Sequence, residues 1–111
     1  MRDNSEIFEE LRRRVTEAHT YLRIDQAREE MTQLESRAAS PDLWDDQEEA
    51  RKITGRLANV RDDIERWEKV TNEVEDATTL DLLAREEEDE SLTEEIDLAI
   101  SSISKQLDDI E

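Results

Sequence analysis

Ser40-Pro41-Asp42-Leu43-Trp44-Asp45-Asp46 interrupts two apolar helical patterns, and its reading decides the fold. Pro41 lacks a backbone N–H and disfavours the α conformation at the residue before it, so a helix arriving through Arg37 and Ala38 stops by about Ser40. The chain must turn there. Asp45 followed by Glu48 has the arrangement of a capping box, which lets a second helix begin within a residue or two. Trp44, just ahead of that start, is expected to fold its ring onto both helices and set the angle of the corner.

Outward from the corner, the pattern on both sides is helical. On the N-terminal side, Ile24, Ala27, Met31, Leu34 and Ala38 alternate spacings of three and four, a narrow seam that needs a partner. Asp25 stands where it can cap that helix. Earlier still, Ile7, Leu11, Val15, Ala18 and Leu22 form an amphipathic stripe widened by Phe8. Arg12, Arg13 and Arg14 point three ways from such a helix and read as solvated charge balancing Glu9, Glu10 and Glu17. His19, the only histidine, has no neighbouring ligand types and reads as an exposed or locally bonded side chain.

On the C-terminal side runs the longest regular pattern, Ile53, Leu57, Val60, Ile64, Trp67, Thr71 and Val74. Acids precede bases by one turn at Glu48 and Lys52, Asp62 and Arg66, and Glu65 and Lys69, each worth about 0.3 kcal/mol on an exposed helix face. Trp67 lies on the seam and reads as core. Gly55 costs about 1 kcal/mol relative to alanine, and close packing against another helix would account for it. The pattern weakens at residues 75–79, where Thr78 or Thr79 could cap a new helix or the helix could bend and continue. Leu80, Leu82 and Leu83 then restart the apolar stripe. Five consecutive acids, Glu86 to Glu90, oppose a helix dipole at its C-terminus and should end the segment. They lack the central glycine of a calcium loop. Ser91 with Glu94 forms a second capping box, and Leu92, Ile96, Ala99, Ile100, Ile103, Leu107 and Ile110 give the last helix a broad apolar face. Opposite that face lie Glu95, Asp97, Ser101, Ser102, Lys105 and Asp108.

These patterns predict an all-α chain: an elongated antiparallel helical bundle with coiled-coil-like packing and three to five helices. The expected organisation is one domain over residues 1–111. It has an opening helix over 1–22, a helix over 23–39, the corner at 40–46, a long helix over 46–75, a helix over 78–88 and a last one over 91–111.

Composition agrees. Of 111 residues, 34% are apolar and 43% charged, with one glycine and one proline, so the core must be thin and long helices are favoured over sheets. Without cysteine there is no disulfide or thiolate site, and a cytoplasmic location is expected. The start has no apolar signal region and no stretch approaches the roughly 20 apolar residues of a membrane span. The net charge is −18, and residues 76–111 hold 13 acids against 2 bases. Such a surface repels phosphate, so no sequence-specific binding of nucleic acid is expected, and a basic protein is the more natural contact.

Pro41-Asp42-Leu43-Trp44-Asp45-Asp46, preceded by Tyr21-Leu22-Arg23-Ile24-Asp25 and a run ending Met31-Thr32-Gln33-Leu34-Glu35, and followed by Gln47-Glu48-Glu49-Ala50-Arg51-Lys52, resembles the N-terminal domain of the bacterial peptide chain release factor 2 family. The resemblance extends from residue 21 to residue 111, and residues 1–20 look like that family's variable opening helix. It implies an accessory domain of a class I translation termination factor, directed to UGA and UAA in the full-length protein. The implied partners are the ribosome, near the stalk base and ribosomal protein L11, and the factor's remaining domains. The family's Gly-Gly-Gln loop for hydrolysing peptidyl-tRNA and its Ser-Pro-Phe-type codon reader lie in later domains. Neither is present here, since Gly55 is the only glycine and Pro41 is followed by Asp42. The chain is thus expected to be no enzyme, with no catalytic, cofactor-binding or metal residues. A different class remains open beside it: a stand-alone acidic coiled-coil adaptor that binds a partner helix or homodimerises. An acidic mimic of nucleic acid would rest on the charge of residues 76–111 alone.

Overall fold

The computed structural model describes residues 3–111. Its helices are α1 (Ser5–Tyr21), α2 (Ile24–Ala38), α3 (Gln47–Glu86) and α4 (Thr93–Ile110), with 3-10 turns at Pro41–Asp45 and Glu90–Leu92. Among the described residues there is no strand, and the chain is an all-α helical bundle. Its residues gather into two compact units. One takes residues up to Ala18 together with Trp67–Glu111, and the other is His19–Arg66.

In the first unit, α1, the second half of α3 and α4 share an apolar core. Phe8, Leu11 and Val15 from α1 meet the register of Val70, Val74, Ala77 and Ala84 from α3 and of Ile96, Ile103 and Leu107 from α4, all buried. Val70, Ile103 and Leu107 have no exposed surface. Phe8, expected only to widen the α1 stripe, is a centre of it, while Ile7 stays 40% exposed at the edge. Polar bonds fix the directions. Trp67 Nε1 donates to the Val15 carbonyl at 3.0 Å, and Asn4 Nδ2 donates to Asp81 Oδ1 at 2.8 Å. Low numbers on α1 therefore meet high numbers on α3, the antiparallel sense. Gln106 bonds to Glu73 in the same way between α4 and α3. Arg14 is no solvated charge: its side chain is 17% exposed, and the guanidinium reaches Asp108 of α4 at 2.8 Å and Glu111, just past its end, at 3.0 Å. Arg13 does behave as expected, bonding Glu10 and Glu17 on its own helix.

In the second unit, Ile24 and Leu43 are fully buried with Ala50, Leu57, Val60 and Ile64 of α3, while Ala27, Met31, Leu34 and Ala38 of α2 stay half-buried. Arg56 binds Glu30 bidentately at 2.5 and 2.9 Å, and Arg61 lies 3.4 Å from Glu35, so bases of α3 reach across to acids of α2. The corner follows the proline rule. Ser40 is extended (φ −74°, ψ 125°) and Pro41 opens the 3-10 turn. It is Leu43, however, that is buried, and Trp44 is 59% exposed. In a 3-10 turn consecutive side chains diverge by about 120°, so Leu43 and Trp44 cannot both face the helices. The indole instead donates Nε1–H to the Ala38 carbonyl at 3.3 Å, satisfying an open carbonyl at the end of α2.

Helix starts depart from the expected caps by small shifts with plain causes. At α3 the cap is Asp46, one residue later than Asp45, accepting from the Glu49 amide at 3.2 Å because the 3-10 turn consumes Asp45. The α1–α2 join is made by Arg23 in the left-handed region (φ 52°), without a side-chain cap, and Asp25 faces His19 Nε2 at 3.5 Å instead. At Ser91 no capping box forms. Asp89 Oδ1 accepts from the Ser91 amide at 3.0 Å and its hydroxyl at 2.5 Å, and α4 starts later, at Thr93. Asp3 and Ser5 make the same aspartate-x-serine turn ahead of α1, at 2.9 and 2.6 Å. Both carboxyls are held below the ordinary 3.8 of an aspartate, chiefly by the serine hydroxyl bond.

The expected separate helix over 78–88 is part of α3, which runs unbroken from Gln47 to Glu86. Thr78 and Thr79 do not cap. Their hydroxyls donate back to the Val74 carbonyl at 2.6 Å and the Glu75 carbonyl at 3.0 Å, the bonds of threonines inside a helix. Val74 and Ala77 keep the core face continuous across them. The helix ends where the acids begin to accumulate, through a left-handed Glu88 (φ 54°), with Asp89 N–H donating to the Ala84 carbonyl at 2.8 Å and Glu88 N–H to Arg85 at 3.3 Å. That is a Schellman termination.

Gly55 is not explained by close packing. It is exposed inside α3, and a Cβ built there meets nothing within 4 Å. Gly55→Ala is therefore expected to stabilise the chain by about 1 kcal/mol, read as a raised midpoint in urea with an unchanged slope.

Candidate docking surfaces

Side chains that could interact with other molecules lie on helix faces, and each unit presents its own. Among the described residues no group of three or more His, Cys, Asp or Glu is placed to hold a metal ion, and no helix is long and apolar enough to cross a membrane. The acidic side chains whose carboxyls are lowered, Asp3, Glu10, Glu30 and Asp89, owe this first to side-chain bonds with Ser5, Arg13, Arg56 and Ser91.

In the second unit, exposed Trp44 walls a hollow of about 250 Å³ whose floor is Ala50, with Arg51 and Thr54 beside it. In the first unit, α1 and α4 bound an open depression of about 630 Å³. Most of its charges are matched, Arg13 with Glu10 and Glu17 and Arg14 with Glu111, and Glu6 adds a further carboxylate to its lining.

The groove between α3 and α4 is different. Its cavity of about 240 Å³ has Ala77, Leu80 and Ala99 as floor and Glu73, Asp76 and Glu95 around them. Leu82 and Leu83 are 48% and 47% exposed at the end of α3, and Leu98 is 65% exposed on α4. The sequence reading placed Leu80, Leu82 and Leu83 in the core stripe. The true stripe is Val70, Val74, Ala77, Asp81 and Ala84, an unbroken four-three-four-three spacing hidden by its aspartate. Asp81, 2% exposed, is held by Asn4 and lies 3.3 Å from Arg85 Nε, while Arg85 Nη1 lies 3.2 Å from Asp3. A buried polar pair, Asn4 and Asp81, thus occupies a core position; Leu80 lines the groove, and Leu82 and Leu83 are left about half exposed.

Comparison with known proteins shows the family of the chain. The PCRF domain family matches residues 27–111. The chain is 31% identical over 109 residues to a protein named peptide chain release factor 2 from Streptomyces avermitilis, covering 98% of this chain and 30% of that protein. Its namesake from Salinispora tropica is 30% identical over 109 residues, covering 98% and 29%. A third, from a Mycobacterium species, is 36% identical over 74 residues, covering 67% and 20%. The chain spans about 30% of the length of the first two curated relatives. With the family matching well over half of its residues, the corner and α4 included, the chain belongs to the PCRF domain family.

Proposed function

We propose that residues 1–111 act as one N-terminal accessory domain of a translation termination factor of the release factor 2 type, docking on the ribosome near the stalk base and ribosomal protein L11. The observation that carries this reading is the alignment of 98% of the chain with proteins named peptide chain release factor 2. The function is positional. Stiff helices with paired polar ends present a fixed acidic surface, and contact there restricts the orientation of the domains that perform the chemistry. Residues 76–111, with 13 acids and 2 bases, suit a basic ribosomal protein better than bare RNA. No residue of this chain is assigned a catalytic, cofactor or metal role, and the domain works in the cytoplasm.

The purified chain is expected to co-pellet with bacterial ribosomes at low salt, to release progressively as salt rises, and to bind less to ribosomes depleted of L11. In the same preparation it releases no peptide from peptidyl-tRNA. Binding that ignores L11 depletion would remove the stalk-base assignment, and peptide release by the chain alone would overturn the accessory role.

A further inference from the structure

We propose that the α3–α4 groove is a docking site for a basic amphipathic helix, a lysine- or arginine-rich segment of a partner protein. The groove combines two features that recognise such a helix. Its floor of Ala77, Leu80 and Ala99 is apolar; on the same two helices, one turn beyond Leu80 and one turn beyond Glu95 in sequence, Leu83 and Leu98 are exposed. Small residues on both helices let an incoming helix lie close to the backbone, the arrangement of helix-in-groove recognition. Its rim carries Asp76 and Glu95, with Glu73 beside them already bonded to Gln106, and the surrounding segment, residues 76–111, has only Arg85 and Lys105 as bases. Arg85 is turned away, engaged with Asp81 and Asp3.

Charge selects the occupant. A second copy of this chain would bring another net charge of −18 to the groove, and its apolar helices carry acids on their outer faces. Nucleic acid is repelled for the same reason. A helix with apolar residues at three-four spacing and lysines beside them would place its apolar stripe on Leu80 and Ala99 and its cations against Asp76 and Glu95. The inference rests on the groove and not on the release-factor reading, so either can fail while the other stands.

The probe is a synthetic amphipathic helix of leucine and lysine about 18 residues long, labelled for fluorescence anisotropy against the whole 111-residue chain. A peptide of equal composition with the pattern scrambled is the control. Asp76→Lys with Glu95→Lys is expected to weaken binding by about tenfold or more. Asp62→Lys with Glu65→Lys changes the net charge identically, from −18 to −14 by two charges per reversal, and is expected to weaken it less than about twofold. Leu80→Ala, which leaves charge untouched, is expected to weaken it about threefold or more. Circular dichroism confirms that each variant is folded. Equal losses from the two reversals, or equal binding of the scrambled peptide, would reduce the effect to diffuse electrostatics and overturn the proposal. A chain that dimerises in sedimentation, with the dimer lost in Leu80→Ala, would give the groove to a second copy and overturn it equally.

Discussion

Ile103→Ala is expected to lower the stability of the chain by about 3–4 kcal/mol, a large part of the roughly 5–15 kcal/mol that holds a small domain together. Ile103 has no exposed surface, and it sits on α4 in the same core as Leu107, Val70 and Phe8. Removing three carbons there forfeits the transfer free energy and leaves a void that straight helices, fixed by bonds such as Gln106 to Glu73 and Arg14 to Asp108, close poorly. Leu98→Ala supplies the control. That side chain is 65% exposed on the same helix, and its loss is expected within about 0.5 kcal/mol. Urea unfolding followed by helical circular dichroism measures both. A loss below about 1 kcal/mol at Ile103 would mean that α4 contributes little to the core.

Asp81→Ala is the second large effect, expected at about 2–3 kcal/mol. Asp81 accepts from Asn4 Nδ2 and faces Arg85 Nε, and its removal strips the buried Asn4 amide of this acceptor and leaves the guanidinium only Asp3. Arg85 is one-third exposed, so water recovers part of the loss. Asn4→Ala combined with Asp81→Ala is expected to cost less than the two single changes added, with a coupling of about 1 kcal/mol, because either single change already removes the hydrogen bond the two share. Strict additivity in that cycle would show that the hydrogen bond across α1 and α3 adds nothing beyond packing.

These two residues mark the boundary of what the sequence makes legible. Ile103 belongs to an apolar series at helical spacing, and such series found α1, α4 and most of α3 directly. Asp81 sits on an equally regular series but is charged, so an apolar pattern passes over it and takes up Leu82 and Leu83 instead. Burial there depends on a bond to Asn4, 77 positions away, which no local pattern contains. Thr78 and Thr79 are ambiguous for a related reason: the same hydroxyl can cap a helix or bond back inside it, and the choice is made by the continuous core face of Val74 and Ala77. At the corner, proline dictated the turn, but the 3-10 geometry decided that Leu43 goes in and Trp44 out. The acid-rimmed groove was invisible because its floor residues are small or were counted as core.

The indoles of Trp44 and Trp67 stand in unlike surroundings, one mostly in water and one half-covered with its N–H on Val15. They also fall in different units. Ultraviolet emission from this chain is therefore a sum of a long-wavelength and a shorter-wavelength lamp. Replacing either by phenylalanine leaves a single optical reporter, so the order in which the two units melt can be read without attaching any dye.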